Sequence, residues 1–465
     1  MAEQSAANTV EHKTLNDDPI VVTDAANVLY GQFTQRIVDE IEASTPPKTI
    51  AITGDWGSGK TSALASVYEQ LTNKKPPFTF QKPIDDPEPD HVGVWFEAWR
   101  YQNEPQPVIA LLHAIRREFS YLSKARRTTE KLFNIATIGS LTLIDSVIES
   151  ISGVKTKLSD IPKIGEKYEQ ENFLSALPSD KFHIALQEAI EELLPEKPDT
   201  KLLIFIDDLD RCQPQVALKL LEGIKLYLNI PNCVVVMAID QAQLESAVQA
   251  EISHDRTPHF IGVEYLEKLC QDAHRLPHIS PEKSAQFVKS QLTALLESSE
   301  VTAQINQIEE QLRIHHCLPA NPRRIKMVIN RLAAYLRCID FNKDDEEEDE
   351  LLRDTPLLAQ SLLFLTCLQV SYRSLYEQLS WDTEFFTALE EFANQDETIS
   401  EEELRHSPLE GIYQPKASKT YGQEHHSHLR ILRPLCIISH IKTEEPGKLI
   451  DFKTLLNKLI RLYNE

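Results

Sequence analysis

Lys48-Thr49-Ile50-Ala51-Ile52-Thr53-Gly54-Asp55-Trp56-Gly57-Ser58-Gly59-Lys60-Thr61 is the stretch on which the fold turns. Its first six residues are β-prone, and the last eight fit the spacing G-x-x-x-x-G-K-[ST]. Helix-forming residues follow from Ser62 to Leu71. Strand, glycine bend and helix in that order form a cradle for phosphate. Several backbone N–H groups must approach an anion closely, and glycine permits the positive φ this needs. The helix that follows aims its N-terminal dipole at the same place. Gly54, Asp55, Trp56, Gly57, Ser58, Gly59, Lys60, Thr61 and Ser62 are therefore the expected phosphate-binding residues. Lys60 would reach the β- and γ-phosphates, and the Thr61 hydroxyl would ligate Mg²⁺. Glycine is scarce, 13 in 465 residues, so three within six positions are a concentrated signal.

Such a site needs an acid at the end of a buried strand. Lys201-Leu202-Leu203-Ile204-Phe205-Ile206 is a continuous apolar run, as expected of a strand covered on both faces, and it ends in Asp207-Asp208-Leu209-Asp210-Arg211. Asp207 is expected to hold the Mg²⁺ ion and Asp208 to act as general base on the attacking water. Asp210 reads as a helix cap. Neighbouring strands are expected to bring the glycine bend and the tandem aspartates together. Further elements fit a parallel α/β sheet: a helix over Ile20–Ile41, strands at His91–Phe96 and Cys233–Ile239, and helices at 106–125 and Gln215–Tyr227. The prediction is a doubly wound, mainly parallel α/β P-loop sheet with a helical insertion, a helical lid and an α-helical C-terminal domain.

The domain boundaries follow from composition. Residues 1–18 read as a flexible polar tail, 19–280 as the nucleotide-binding domain with an insertion at about 104–200, and 281–342 as the lid. An unbroken acidic run, Asp344 to Glu350, reads as a solvated linker within 343–350, and 351–465 as the C-terminal domain. Leu132–Ile144 lacks charge, but a span needs about 20 apolar residues. A buried or interfacial helix is expected for 132–149, with membrane contact as the alternative.

Charge and cysteine content narrow the partners. Lys+Arg number 48 and Asp+Glu 71, a net charge of −23, which disfavours a broad nucleic-acid surface. Seven cysteines without a C-x-x-C pair, and no basic-then-apolar leader in MAEQSAANTVEHK, point to a reducing cytoplasm.

Four blocks together resemble the KAP family of P-loop NTPases: Gly54 to Thr61, Val94-Trp95-Phe96-Glu97-Ala98-Trp99-Arg100-Tyr101, Phe205 to Cys212, and Tyr265-Leu266-Glu267-Lys268 through Arg275-Leu276-Pro277. Asn321-Pro322-Arg323-Arg324-Ile325-Lys326 resembles that family's lid motif. The resemblance implies an ATPase that uses ATP and Mg²⁺ and an extra acid for hydrolysis. It further implies a role in prokaryotic defence against phage. A homo-oligomer and a protein effector encoded elsewhere are the expected partners. Many members carry transmembrane helices between the two nucleotide motifs, where this sequence has only the Leu132–Ile144 run. Glu97 stands where the family more often has Asn. From the lid resemblance, Arg323 would sense the γ-phosphate, its planar fork suiting phosphate oxygens.

Other residues carry less specific signals. Asp240 would orient the catalytic water or cap a helix. Arg211 and Arg275 read as ion-pair partners, with an arginine finger as the alternative. Trp56 and Trp99 are expected to pack between the second strand and the P-loop, with base stacking as the alternative. His425, His426 and His428, and likewise His315-His316-Cys317, read as solvated loops rather than metal ligands.

Overall fold

The computed structural model describes residues 14–16, 24–74, 76, 91–104, 107–121, parts of 183–194, 199–244, 270–296, 301–319, 321–339, 351–381, 385–392, 398–400, 428–430 and 434–464. The 132–149 segment, the acidic run, His425 and His426 lie outside them. The chain divides into two compact units, one of residues 19–277 and one of residues 1–18 with 278–465.

The first unit is a five-stranded, all-parallel sheet in the order β2-β3-β4-β1-β5. Its elements run α1 (Asp24–Ala43), β1 (Lys48–Thr53), α2 (Lys60–Thr72), β2 (Val92–Glu97), α3 (Pro107–Tyr121), β3 (Leu202–Asp207), α4 (Pro214–Tyr227), β4 (Cys233–Ile239) and β5 (Asp272–Arg275). Strand alternation sends successive side chains to opposite faces, so strands buried on both sides must be apolar throughout. Every residue of β3 and β4 is buried. Leu202, Ile204, Ile206, Val235 and Met237 join the cluster that α3 and α4 cover through Leu111, Leu220 and Ile224. On the α2 side, Trp95 and Phe205 stack with centroids 6.3 Å apart, and Tyr68 meets both edge-on. Each such large apolar side chain contributes about 1.5–3 kcal/mol by leaving water. α1 buries Leu29, Phe33, Ile37 and Ile41, one stripe at helical spacing, and packs on α2.

The sheet brings one correction and one addition. First, β1 and β3 are not neighbours: β4 lies between them. Two strand spacings of about 4.8 Å must therefore be bridged above the sheet. The phosphate loop does this as it leaves β1 for α2. Second, β5 is a strand that composition hides. Its side chains alternate between partly buried and exposed, and it pairs only with β1, so backbone bonds hold it. Gln271 N–H donates to Thr49 O at 3.0 Å and Leu276 N–H to Thr53 O at 2.8 Å.

The second unit comprises α5 (Pro281–Leu296), α6 (Thr302–His315), α7 (Pro322–Cys338), α8 (Thr355–Ser371), α9 (Arg373–Trp381), α10 (Phe385–Phe392), β6 (Thr398–Ser400), β7 (His428–Arg430), α11 (Leu435–Glu444) and α12 (Leu449–Asn464). α8 is buried on all sides from Leu357 to Leu368, because α6, α7, α11 and α12 all pack on it. The helices before and after the acidic run thus share one core. β6 and β7 form a short antiparallel ribbon, so the C-terminal region is not helical throughout, and His428 begins a strand rather than sitting in a loop. Leu15 exchanges two 2.8 Å hydrogen bonds with the Asn330 side chain on α7. The His315-His316-Cys317 segment also departs from expectation. His315 and Cys317 are buried; His315 Nε2 donates to Gln311 Oε1 at 2.9 Å, and Cys436 Sγ donates to His315 O. α6 ends in the core instead of at the surface.

Candidate nucleotide site

Parallel pairing sets the strand ends level. Thr53 is opposite Ile239, and Glu97 is opposite Asp207, so all carboxyl ends open on one edge of the sheet. Ligands of open α/β sheets bind in the crevice outside that edge. Gly54 N–H donates to Ile239 O at 3.3 Å, and Ser58 N–H to Asp55 O at 3.1 Å, which curls 54–59 into a nest. Gly57 at φ +77° and Gly59 at φ +99° take the turns that L side chains resist. Ala63 N–H then donates to Gly59 O at 2.9 Å and starts α2.

The loop is braced from outside by a residue that the sequence pattern does not single out. Tyr30 on α1 is 4% exposed, and its hydroxyl donates to Ser58 O at 2.5 Å. In a trans peptide, C=O and N–H point opposite ways. Holding the Ser58 carbonyl outward therefore turns the Gly59 N–H inward. Burial raises the Tyr30 hydroxyl far above its ordinary range, so it stays a donor.

Lys60 is 7% exposed, with Nζ 2.9 Å from Gly54 O, 3.2 Å from Asp55 O and 3.2 Å from Asp210 Oδ2. Thr61 Oγ1 donates to Asp207 Oδ1 at 3.1 Å across the end of β4. The loop and the acid at the end of β3 thus meet. Asp207 is buried, and burial together with the Asp208 charge lifts its carboxyl to about 7. A buried carboxylate beside further acids calls for a cation. Thr61 and Asp207 are the hard-oxygen donors that suit Mg²⁺. The nest fits phosphate by a separate criterion. Ser58 Oγ is buried without a hydrogen-bond partner among the described residues, and a Cβ on Gly54 would meet it at 2.8 Å.

Asp208 follows in the left-handed region at φ +56°, which turns the chain sharply after β3. Its Oδ1 lies 3.0 Å from Arg211 Nε, the ion pair expected of Arg211, and Arg211 sits over Trp99 at 6.0 Å. Asp210 does not cap a helix; it faces Lys60. The signal that could have found it is its spacing from Asp207, three residues into a single turn. Asp240 accepts from Gln243 N–H at 3.3 Å, which is the capping option. Glu97 pairs with Arg100 at 2.6 Å. Trp56 and Trp99 are 55% and 47% exposed, so they do not pack in the core; Trp95 and Phe205 already fill the space over β2 and β3. Ser62 stands in the first turn of α2. Arg323 belongs to the helical unit, in the first turn of α7, where its N–H donates to the Asn321 cap at 3.0 Å. Burial and the charges of Asp208 and Asp210 push the Cys212 thiol up to about 12, which removes it as a nucleophile. Among the described residues no group of three His, Cys, Asp or Glu side chains could hold a metal ion by itself, and no helix is long and apolar enough to cross a membrane.

The sequence profile of the KAP family P-loop domain matches residues 30–339. The chain belongs to the KAP family. That match begins at Tyr30, ends at Ile339 just past α7, and takes in the nucleotide site and the three helices that follow it. No match was found among curated proteins. Among solved structures, the "Structure of Drosophila ORC bound to DNA" aligns over 94% of this KAP chain and 89% of that chain, at 12% identity and a TM-score of 0.29. So low a score carries no argument.

Proposed function

We propose that this KAP-family protein is a Mg²⁺-dependent ATPase that acts as a conformational or assembly switch. The observation that carries the reading is the 3.1 Å bond between Thr61 and Asp207, which sets the glycine nest and the strand-end acid at one point. Lys60 and the inward N–H groups would bind the β- and γ-phosphates. Thr61 and Asp207 would hold Mg²⁺, which, when bound, neutralises charge on the phosphates. Asp208 would take the proton of the attacking water, and Arg323 would sense the γ-phosphate from the lid. The family resemblance favours ATP; the N-K-x-D spelling at Asn342-Lys343-Asp344-Asp345 falls at the acidic run, past the matched domain. By the same resemblance the biology is prokaryotic phage defence, with a homo-oligomer and a separate effector as partners.

A second reading, a nucleotide-gated scaffold with little hydrolysis, draws on one observation. Asp208 is engaged by Arg211 at 3.0 Å, and a carboxylate paired with a cation is a weaker base.

The test is nucleotide affinity, phosphate release and mass of the full chain for wild type, Lys60→Ala and Asp208→Asn. Lys60→Ala should lose at least about 100-fold in affinity. Asp208→Asn should keep binding but lose about 100- to 10,000-fold in turnover. Wild-type affinity in Lys60→Ala refutes the nucleotide site. Unchanged turnover in Asp208→Asn selects the scaffold reading.

A further inference from the structure

We propose that Asp210 is a latch on Lys60: it competes with the nucleotide's phosphates for the ammonium, lowers nucleotide affinity and so sets the rate of nucleotide release. The inference rests on the nucleotide reading above and assigns a positioning residue within that site. Its basis is geometric. Asp210 Oδ2 lies 3.2 Å from Lys60 Nζ, with both side chains below one tenth exposed. Two loop carbonyls, of Gly54 and Asp55, hold the same ammonium, and Asp210 supplies its carboxylate partner. The carboxylates of the site also divide by role. Asp207 is bonded to Thr61, Asp208 to Arg211, and Asp240 to the helix start at Gln243. Asp210 is in ion-pair contact with the lysine, whose charge Asp240 also feels.

A triphosphate brings several negative charges to this lysine. Asp210 both occupies the ammonium and repels the newcomer. A buried pair gives back little for the desolvation it costs, so evolution of stability is a weak account of it. Room for release is at hand: Asp210 borders a cavity of about 450 Å³, lined also by Leu209, Ala217, Ile239, Leu244 and the polar Gln243. The carboxylate can swing towards it once phosphate takes the lysine.

The test is binding of ADP and ATP to the full chain in chelator, where metal plays no part, with Asp210→Asn and, as a second variant, Asp210→Ser. Both should bind about tenfold more tightly than wild type, about 1.4 kcal/mol, and release ADP correspondingly more slowly. A gain in affinity is a result that structural damage does not produce. Affinity unchanged or weakened in a folded variant overturns the latch. So does failure of both variants to fold, because a bond that opens whenever phosphate arrives cannot be essential to the fold. Asp210→Glu should restore wild-type affinity. If wild type and Lys60→Ala alike bind no nucleotide, the functional reading fails and the latch with it; wild-type binding with an indifferent Asp210→Asn sinks the latch alone.

Discussion

Replacing Gly59 by Ala tests the loop's geometry at its tightest point. Gly59 sits at φ +99°, where an L residue is strained by about 1–2 kcal/mol. Its new Cβ would also lie 2.8 Å from Tyr30 Oη and 2.9 Å from Tyr30 Cε2, both buried. Overpacking of that kind costs about 1–3 kcal/mol more. The total should be about 2–5 kcal/mol, with the two parts separable. In a Tyr30→Ala background the clash is absent, and Gly59→Ala should cost only the strain of about 1–2 kcal/mol. The assay is urea unfolding followed by tryptophan emission, which reports this unit selectively. Of the four tryptophans, Trp95 is 5% exposed, whereas Trp381, the one in the helical unit, is 89% exposed and already meets water. An equal cost of Gly59→Ala in both backgrounds would refute the contact between Tyr30 and the loop. No cost in either would refute the backbone conformation.

Tyr30→Phe keeps the ring but removes the bond to Ser58 O; nucleotide affinity should fall about three- to tenfold while the unfolding free energy drops by no more than about 1–3 kcal/mol, and calorimetric titration checks the affinity. Asp207 is held near 7 when folded against 3.8 ordinarily, so the folded state retains a proton that the unfolded state loses. In chelator, the Asp207 contribution to stability should therefore be fully present below about pH 4 and be lost as pH rises through 7, by at most about 4 kcal/mol; the difference between wild type and Asp207→Asn across pH reads it, and parallel curves would contradict it. His315 is pushed down to about 4 by burial and by His440 and His316. Its contribution is present above the ordinary 6.5 and lost as pH falls towards 4, so the amide protection factors of α6, corrected for the intrinsic exchange rate, should fall over that range in wild type and not in His315→Asn.

Much of this arrangement was readable because local chemistry and tertiary position coincide. β3 and β4 are buried on both faces, and burial on both faces demands the unbroken apolar runs that mark them. Gly57 and Gly59 occupy positive φ, a requirement few other residues meet, so the loop announces itself. The rest depends on partners remote in sequence. β5 contains Asp272, His274 and Arg275 because a short edge strand is held by its backbone, and no apolar alternation is needed. Tyr30 looks like one more apolar position of α1 until Ser58 is seen against it. Asp210 shares a capping residue's chemistry, and only the fold reveals that Lys60 is its partner. Trp56 and Trp99 misled for the opposite reason: aromatic size suggests burial, but the space over β2 was already taken by Trp95.

β4 lying between β1 and β3 makes that strand a spacer gauge for the whole centre. Its backbone pairing to both neighbours sets how far apart the lysine-bearing loop and the strand-end acid stand, although no residue of β4 need touch a phosphate. A bulge or a slip of register there would shift the span across which Thr61 reaches Asp207. Ion and nucleotide affinity could then be tuned from inside the hydrophobic sheet, at positions that a survey of the crevice alone would pass over.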